Sequence, residues 1–196
     1  MKSSLLPKPL DFSECKDLAA QEECAYKYFC TNIMDDKIRG RFNNNFIELN
    51  KELEYIDGKE QIFTHLCGFG EDKFNIDPCI NSDVEILCKV NCQDDCIPIN
   101  QRNLCLYRAR TLTWFNCVLE LASFNNENIK IWEIDKKLKI RFTHETADYI
   151  IIINKFFSVK KNRYHYKLIT AYPLFLKGDR KKADKEYTKY KKSVEK

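Results

Sequence analysis

"LKIRFTHETADYIIIINKFFSVK", residues 138–160, decides the fold. Its first part alternates: Leu138, Ile140 and Phe142 stand against Lys139, Arg141 and Thr143, the period of a strand with one buried and one polar face. From Asp148 onward it is crowded with β-branched and aromatic residues, which suit a pleated surface. Working outward, "IKIWEI" (129–134) precedes it and "YHYKLITAYPLF" (164–175) follows, both of the same character. Asp135-Lys136-Lys137 and Lys161-Asn162-Arg163 are short enough for tight turns, so the four runs predict an antiparallel meander. Pro173 limits ladder pairing and ends the last strand near it. "DRKKADKEYTKYKKSVEK" (179–196) then predicts a charged helix.

Upstream, "NLCLYRARTLTWFNCVLELASF" (103–124) carries an apolar stripe of helical period mixed with cations. "CKDLAAQEECAYKYFC" (15–30) predicts a helix with Leu18, Cys24, Tyr28 and Phe29 near one stripe. "NNNFIELNKELEYI" (43–56) predicts another, with Phe46, Leu49, Leu53 and Ile56 spaced by three and four after an Asn-rich cap. Residues 68–103, with Pro78 and Pro98, read as irregular. The expected class is α+β: a helical, cysteine-rich N-terminal part, then a helix, a four-stranded antiparallel meander and a C-terminal helix.

Charge divides the chain at nearly the same place. Residues 1–125 hold 14 Lys+Arg against 20 Asp+Glu, and residues 126–196 hold 19 against 9. All ten cysteines lie between Cys15 and Cys117. The expected division is an acidic, Cys-rich region over 1–100 and a basic domain over 101–196. A field of net +10 over the last stretch suits a polyanion, because phosphate contacts dominate nucleic-acid affinity. No apolar stretch approaches the ~20 residues that span a bilayer, and the start, "MKSSLLPKPLDFSEC", lacks a long apolar run. Residence in a cytoplasm, without a membrane, is the expectation.

The order of "RARTLTW" (108–114), "RFTHETADYIII" (141–152) and "KLITAYPLF" (167–175) resembles the barnase/EndoU/colicin D/RelE-like nuclease group. The resemblance covers roughly residues 100–190 and is nearest to phage and mobile-element members with a "TAYP" strand. It implies a metal-independent endoribonuclease with RNA across the sheet, often a toxin, with an immunity or antitoxin protein as partner. Such cleavage uses the neighbouring 2′-hydroxyl as nucleophile and needs a base, an acid and cations around the developing charge. Histidine suits the acid and base roles because it titrates near neutrality. His144, at the end of a strand, and His165, within one, are therefore catalytic candidates. The resemblance adds Thr170 and Tyr172, which would position the phosphate.

Strict alternation sets Thr170 and Tyr172 on the face opposite His165 and Lys167, unless a bulge or bend near Pro173 reconciles them. Candidate RNA contacts are Arg141, Lys155, Arg163 and Lys167, with Arg108 and Arg110 from the preceding helix. Each of these residues also has an ordinary structural role open to it, as a strand residue, a bonded histidine or a solvated charge. A non-catalytic RNA-binding or protein-interaction module on the same basic sheet is the alternative to the enzyme.

"CINSDVEILCKVNCQDDC" sets Cys79, Cys88, Cys92 and Cys96 within 18 residues, with His65 and Cys67 upstream. Four thiolates there can hold a structural zinc, although C-x₃-C spacings lack the sharp CxxC knuckle. Buried free thiols are the simpler reading. No cofactor for catalysis is expected. P-loop, dinucleotide-glycine, HExxH and calcium-loop motifs are absent, which leaves an ATPase, a dehydrogenase or a zinc protease without support.

Overall fold

The computed structural model describes residues 5–50, 58–70, 98–99, 102–145, 147–160 and 162–195. Its centre is a mixed six-stranded sheet. The strands are β1 (Arg41–Phe42), β2 (Asn45–Glu48), β6 (Ile129–Ile134), β7 (Lys137–His144), β8 (Ala147–Ser158) and β9 (Arg163–Pro173), in the order β1-β2-β9-β8-β7-β6. The helices are α1 (Leu18–Phe29), which runs on into a π turn at Cys30–Met34, then α2 (Gln61–Cys67), α3 (Leu106–Arg110), α4 (Trp114–Ser123) and α5 (Lys177–Val194). A 3₁₀ turn at Thr111–Thr113 joins α3 to α4. A small second sheet orders β3 (Gly68–Gly70), β5 (Arg102–Leu104) and β4 (Pro98–Ile99) as β3-β5-β4.

The class is α+β, and the antiparallel run β6–β9 with its C-terminal helix follows the sequence in outline. The sheet is wider than four strands because β1 and β2 join its far side, β2 lying parallel to β9. Residues 45–48 are therefore strand, not the helix that the spacing of Phe46 and Leu49 suggested; Leu53 and Ile56 lie outside the described residues. The physical cause is the asparagine run. Asn43 and Asn44 both take positive φ, 48° and 63°, and close a two-residue hairpin between Phe42 and Asn45. They act as a turn and not as a helix cap. Asp135 and Lys136, at φ 50° and 62°, make the same kind of turn between β6 and β7.

The inner face of the sheet carries the main core. Leu138, Ile140, Phe142, Tyr149, Ile151, Ile153, Tyr166, Leu168 and Ala171 meet Ala25, Phe29 and Ile33 of the α1 segment. Ile62, Phe63 and Leu66 of α2, and Phe115, Val118 and Leu119 of α4, complete the contact. α1 starts where the Asp17 carboxylate accepts from the Ala20 N–H at 2.8 Å, which caps it. The described residues on either side of position 100 thus share one core and one sheet. The division drawn there follows charge and cysteine content and does not follow packing.

The outer face is only partly covered. Helix α5 lies over one end of it, where Ala183 packs with Trp132, Ile150 and Leu174. The rest of that face has no helix over it among the described residues.

Candidate nucleic-acid interface

The site is set by an irregularity in β9. Ile152 pairs with Thr170 and Ile153 with Leu168, so Ile169 is an extra residue without a partner, a β-bulge. Before it, Tyr166 and Leu168 point inward; after it, Ala171 does. The bulge therefore resets the alternation and brings His165, Lys167, Thr170 and Tyr172 to the same outer face. The reconciling bulge lies at Ile169, not near Pro173.

Cross-strand register orders this face into rows. β2 has Ile47 beside Tyr166 and Glu48 beside Lys167, so Phe46 lies beside His165, which in turn pairs with Phe156 of β8. Phe46, His165 and Phe156 form an aromatic row across three strands, about 10 Å wide at ~4.8 Å per strand. Phe46 and Phe156 are 47% and 45% exposed, unusual for phenylalanines on a sheet face. The next row is polar, running Glu48, Lys167, Asn154, Lys137. The row after that, Thr170, Ile152, Lys139 and Trp132, reaches the edge of α5.

Within this arrangement His165 is held firmly. Its Nδ1 lies 2.6 Å from Glu48 Oε1, and its ring stacks on Phe156 with centroids 5.3 Å apart and planes at 18°. Its Nε2 is buried and has no hydrogen-bond partner among the described residues. The imidazole is shielded by its neighbours, with one face against Phe156 and Nδ1 against Glu48. The Arg41 guanidinium sits 4.1 Å from the centre of the Phe46 ring and adds a cation to that end of the row.

Thr170 Oγ1 donates to the His65 carbonyl at 3.3 Å, across the edge of β9 that α2 covers. The Arg108 guanidinium lies 4.4 Å from the centre of the Tyr172 ring. Burial raises the Tyr172 phenol, with Asp179 adding to it and Arg108 opposing, so the hydroxyl is a donor at neutral pH and not a base. Tyr172, Lys137, Lys139, Lys182 and Glu186 line a cleft of about 270 Å³ between sheet and α5.

Several expected contacts are elsewhere. Arg141 is on the outer face but under α5, only 4% exposed. Its Nε and Nη2 donate to both Asp148 oxygens at 2.8 and 2.6 Å, and its Nη1 to Asp184 at 2.7 Å. Burial works against its charge, but the hydrogen bonds and field of Asp148 and Asp184 outweigh it and raise its pKa. It clamps α5 to the sheet and is not presented to a ligand. Arg108 is buried too and donates to the Gly68 carbonyl at 2.7 Å, while Arg110 donates to the Leu10 carbonyl at 2.9 Å. Both hold backbone in place. Lys155 is on the inner side, 2.8 Å from Glu133 and over the Tyr164 ring. Only Arg163 and Lys167, of the six cations expected, are on the open outer face.

His144 also stands apart. It follows Phe142 on the inner side, with ring centroids 6.3 Å apart. It is in register with Ala147, while Thr170 is in register with Ile152, five residues along β8 or roughly 16 Å. The proposed catalytic set is thus split between two faces. Cys79, Cys88, Cys92 and Cys96 lie outside the described residues; among those described, no group of three or more His, Cys, Asp or Glu is placed to hold a metal ion. No described helix is long and apolar enough to cross a membrane.

Sequence reading missed Phe46, Glu48, Asn154 and Phe156. The Phe156-Phe157 doublet was a signal, since one of two adjacent strand residues must leave the core. Phe46 had none, because its place depends on β2 pairing with a strand more than a hundred residues away. No family model, curated protein or solved structure matches the chain.

Proposed function

We propose that this protein binds single-stranded RNA on the open outer face of its sheet. The observation that carries the reading is the pair of half-exposed phenylalanines, Phe46 and Phe156, that flank the buried His165 beside a polar row with lysines. Exposed aromatic side chains on a sheet give unpaired bases a surface to stack on, and flanking cations hold the phosphates. Arg41, Lys137, Arg163 and Lys167 are the cations in reach. Glu48 is the carboxylate among these rows, and His165 engages it.

The binding test is fluorescence anisotropy with a short single-stranded RNA and with the same sequence as a duplex, each across a salt series. The single strand is expected to bind more tightly. With four cations on phosphates, log K should fall with log salt at a slope of about −3, at ~0.7 per phosphate for single strands. Preference for duplex, or no RNA binding at low salt, would overturn the reading.

Metal-independent cleavage of the bound strand is the second reading. The bulge favours it, because it brings Thr170 and Tyr172 to the face that carries the aromatic row. The same RNA, incubated with and without chelator and run on a denaturing gel, tests it: shortened strands ending in a 2′,3′-cyclic phosphate in both lanes support it, and intact RNA in both rejects it.

A further inference from the structure

Beside the aromatic row, the bulge of β9 and the start of α2 enclose a second cleft of about 220 Å³. Its polar lining is Asn50, Gln61, Asn154, Lys167 and His65; its apolar lining is Ile62, Leu168 and Ile169. The amides come from three separate segments: the residues just after β2, the first turn of α2, and β8. None of the three amide groups, nor the Lys167 ammonium, makes a hydrogen bond to another described residue. Three amides and an ammonium from separate segments therefore face one solvent-open cleft with their hydrogen-bonding capacity unused by the protein.

We infer that this cleft reads one purine base of the bound RNA. The inference rests on the RNA-binding reading above and adds sequence selectivity to it. An amide presents a donor and an acceptor side by side, the arrangement that pairs bidentately with the N6 and N7 of adenine, while a lysine matches the O6 and N7 of guanine. Ile169, partly exposed, offers apolar contact to a base face. Asn154 and Lys167 are each two residues from the aromatic row, about 7 Å along their strands. A nucleotide next to a base stacked on Phe156 therefore falls at the cleft mouth. A phosphate would engage the amide NH2 groups and the ammonium but leave the amide oxygens without a donor, whereas a base edge offers both.

The test uses four labelled nine-nucleotide RNAs: all uridine, and the same strand with a single central adenosine, guanosine or cytidine. Binding to the full chain is measured by anisotropy. A purine should raise affinity on the order of 5- to 100-fold over uridine and cytidine, the range of one bidentate pair. Asn154→Ala and Gln61→Ala, on different elements and each checked for folding by circular dichroism, should bind all four strands alike. Equal binding of the four strands by the parent protein would overturn the inference while leaving RNA binding intact. A purine preference that survives in both variants would overturn it as well. No binding of any strand would remove both readings together.

Discussion

Replacing Arg141 separates the structural account of this residue from the RNA contact its sequence suggests. Arg141→Met keeps most of the side-chain bulk and removes the guanidinium. Asp148, 7% exposed, then loses two hydrogen bonds of 2.8 and 2.6 Å and keeps only Arg180, 3.6 Å away and partly exposed. Breaking a buried ion pair from one side costs ~3–5 kcal/mol, and the residual Arg180 contact argues for the lower end. The contact with Asp184, which is more than half exposed, adds less than ~1 kcal/mol. A loss of about 3 kcal/mol in a chain of this size lowers the melting temperature by roughly 6–12 °C. The assay is thermal unfolding by circular dichroism, alongside RNA anisotropy well below the transition. Arg141→Met/Asp148→Leu, which removes the orphaned charge, should recover most of the stability. A single variant that melts like the parent but loses RNA binding would refute the clamp and restore Arg141 as a ligand contact.

Three further outcomes follow from the same geometry. Burial pushes the Tyr107 phenol up to about 12, against ~10 unfolded, so the folded state favours its protonated form. The stability this gives is fully present below about pH 10 and is lost as pH rises through about 12, on the order of 2–3 kcal/mol; Tyr107→Phe should flatten that alkaline loss in denaturant titrations. Deleting Ile169 removes the bulge and lets Thr170 follow Leu168 in regular register with Ile152 and Ile153, so Leu168 and Ala171 stay inward and Thr170 stays outward. Chemical denaturation should find the deletion protein folded, and an unfolded deletion protein would mean that Ile169 is not simply the extra residue of the strand. His144→Ala should leave RNA affinity within about twofold of the parent by anisotropy, since the ring lies on the inner side; a large loss would place RNA on the other face.

How much of this was legible in the sequence follows from where each signal resides. β7 was readable because Leu138, Ile140 and Phe142 alternate with polar neighbours against one core. The helical run after Cys105 was readable because its apolar stripe is local. Residues 43–48 misled because two asparagines before Phe46 suit a helix cap and a hairpin turn equally, and only pairing with β9 chooses the turn. Arg141 alternates in sequence as a solvent-facing residue; that α5 folds back to cover it depends on Asp184, far along the chain. The reset of faces in β9 cannot be placed from the sequence. A run such as "KLITAYP" carries no mark of which residue is the extra one until its partner strand fixes the register.

If bases stack on the exposed Phe46 and Phe156 rings, RNA affinity of the Phe46→Ala/Phe156→Ala protein reports it most directly. Both side chains are about half exposed, so their removal costs little stability, which a matching melting temperature would verify. Each stacked base contributes ~1–3 kcal/mol by alanine substitution, so the double variant should bind single-stranded RNA roughly 30-fold more weakly or worse, with the salt slope nearly unchanged. Affinity equal to the parent in a folded double variant would show that bases do not stack there.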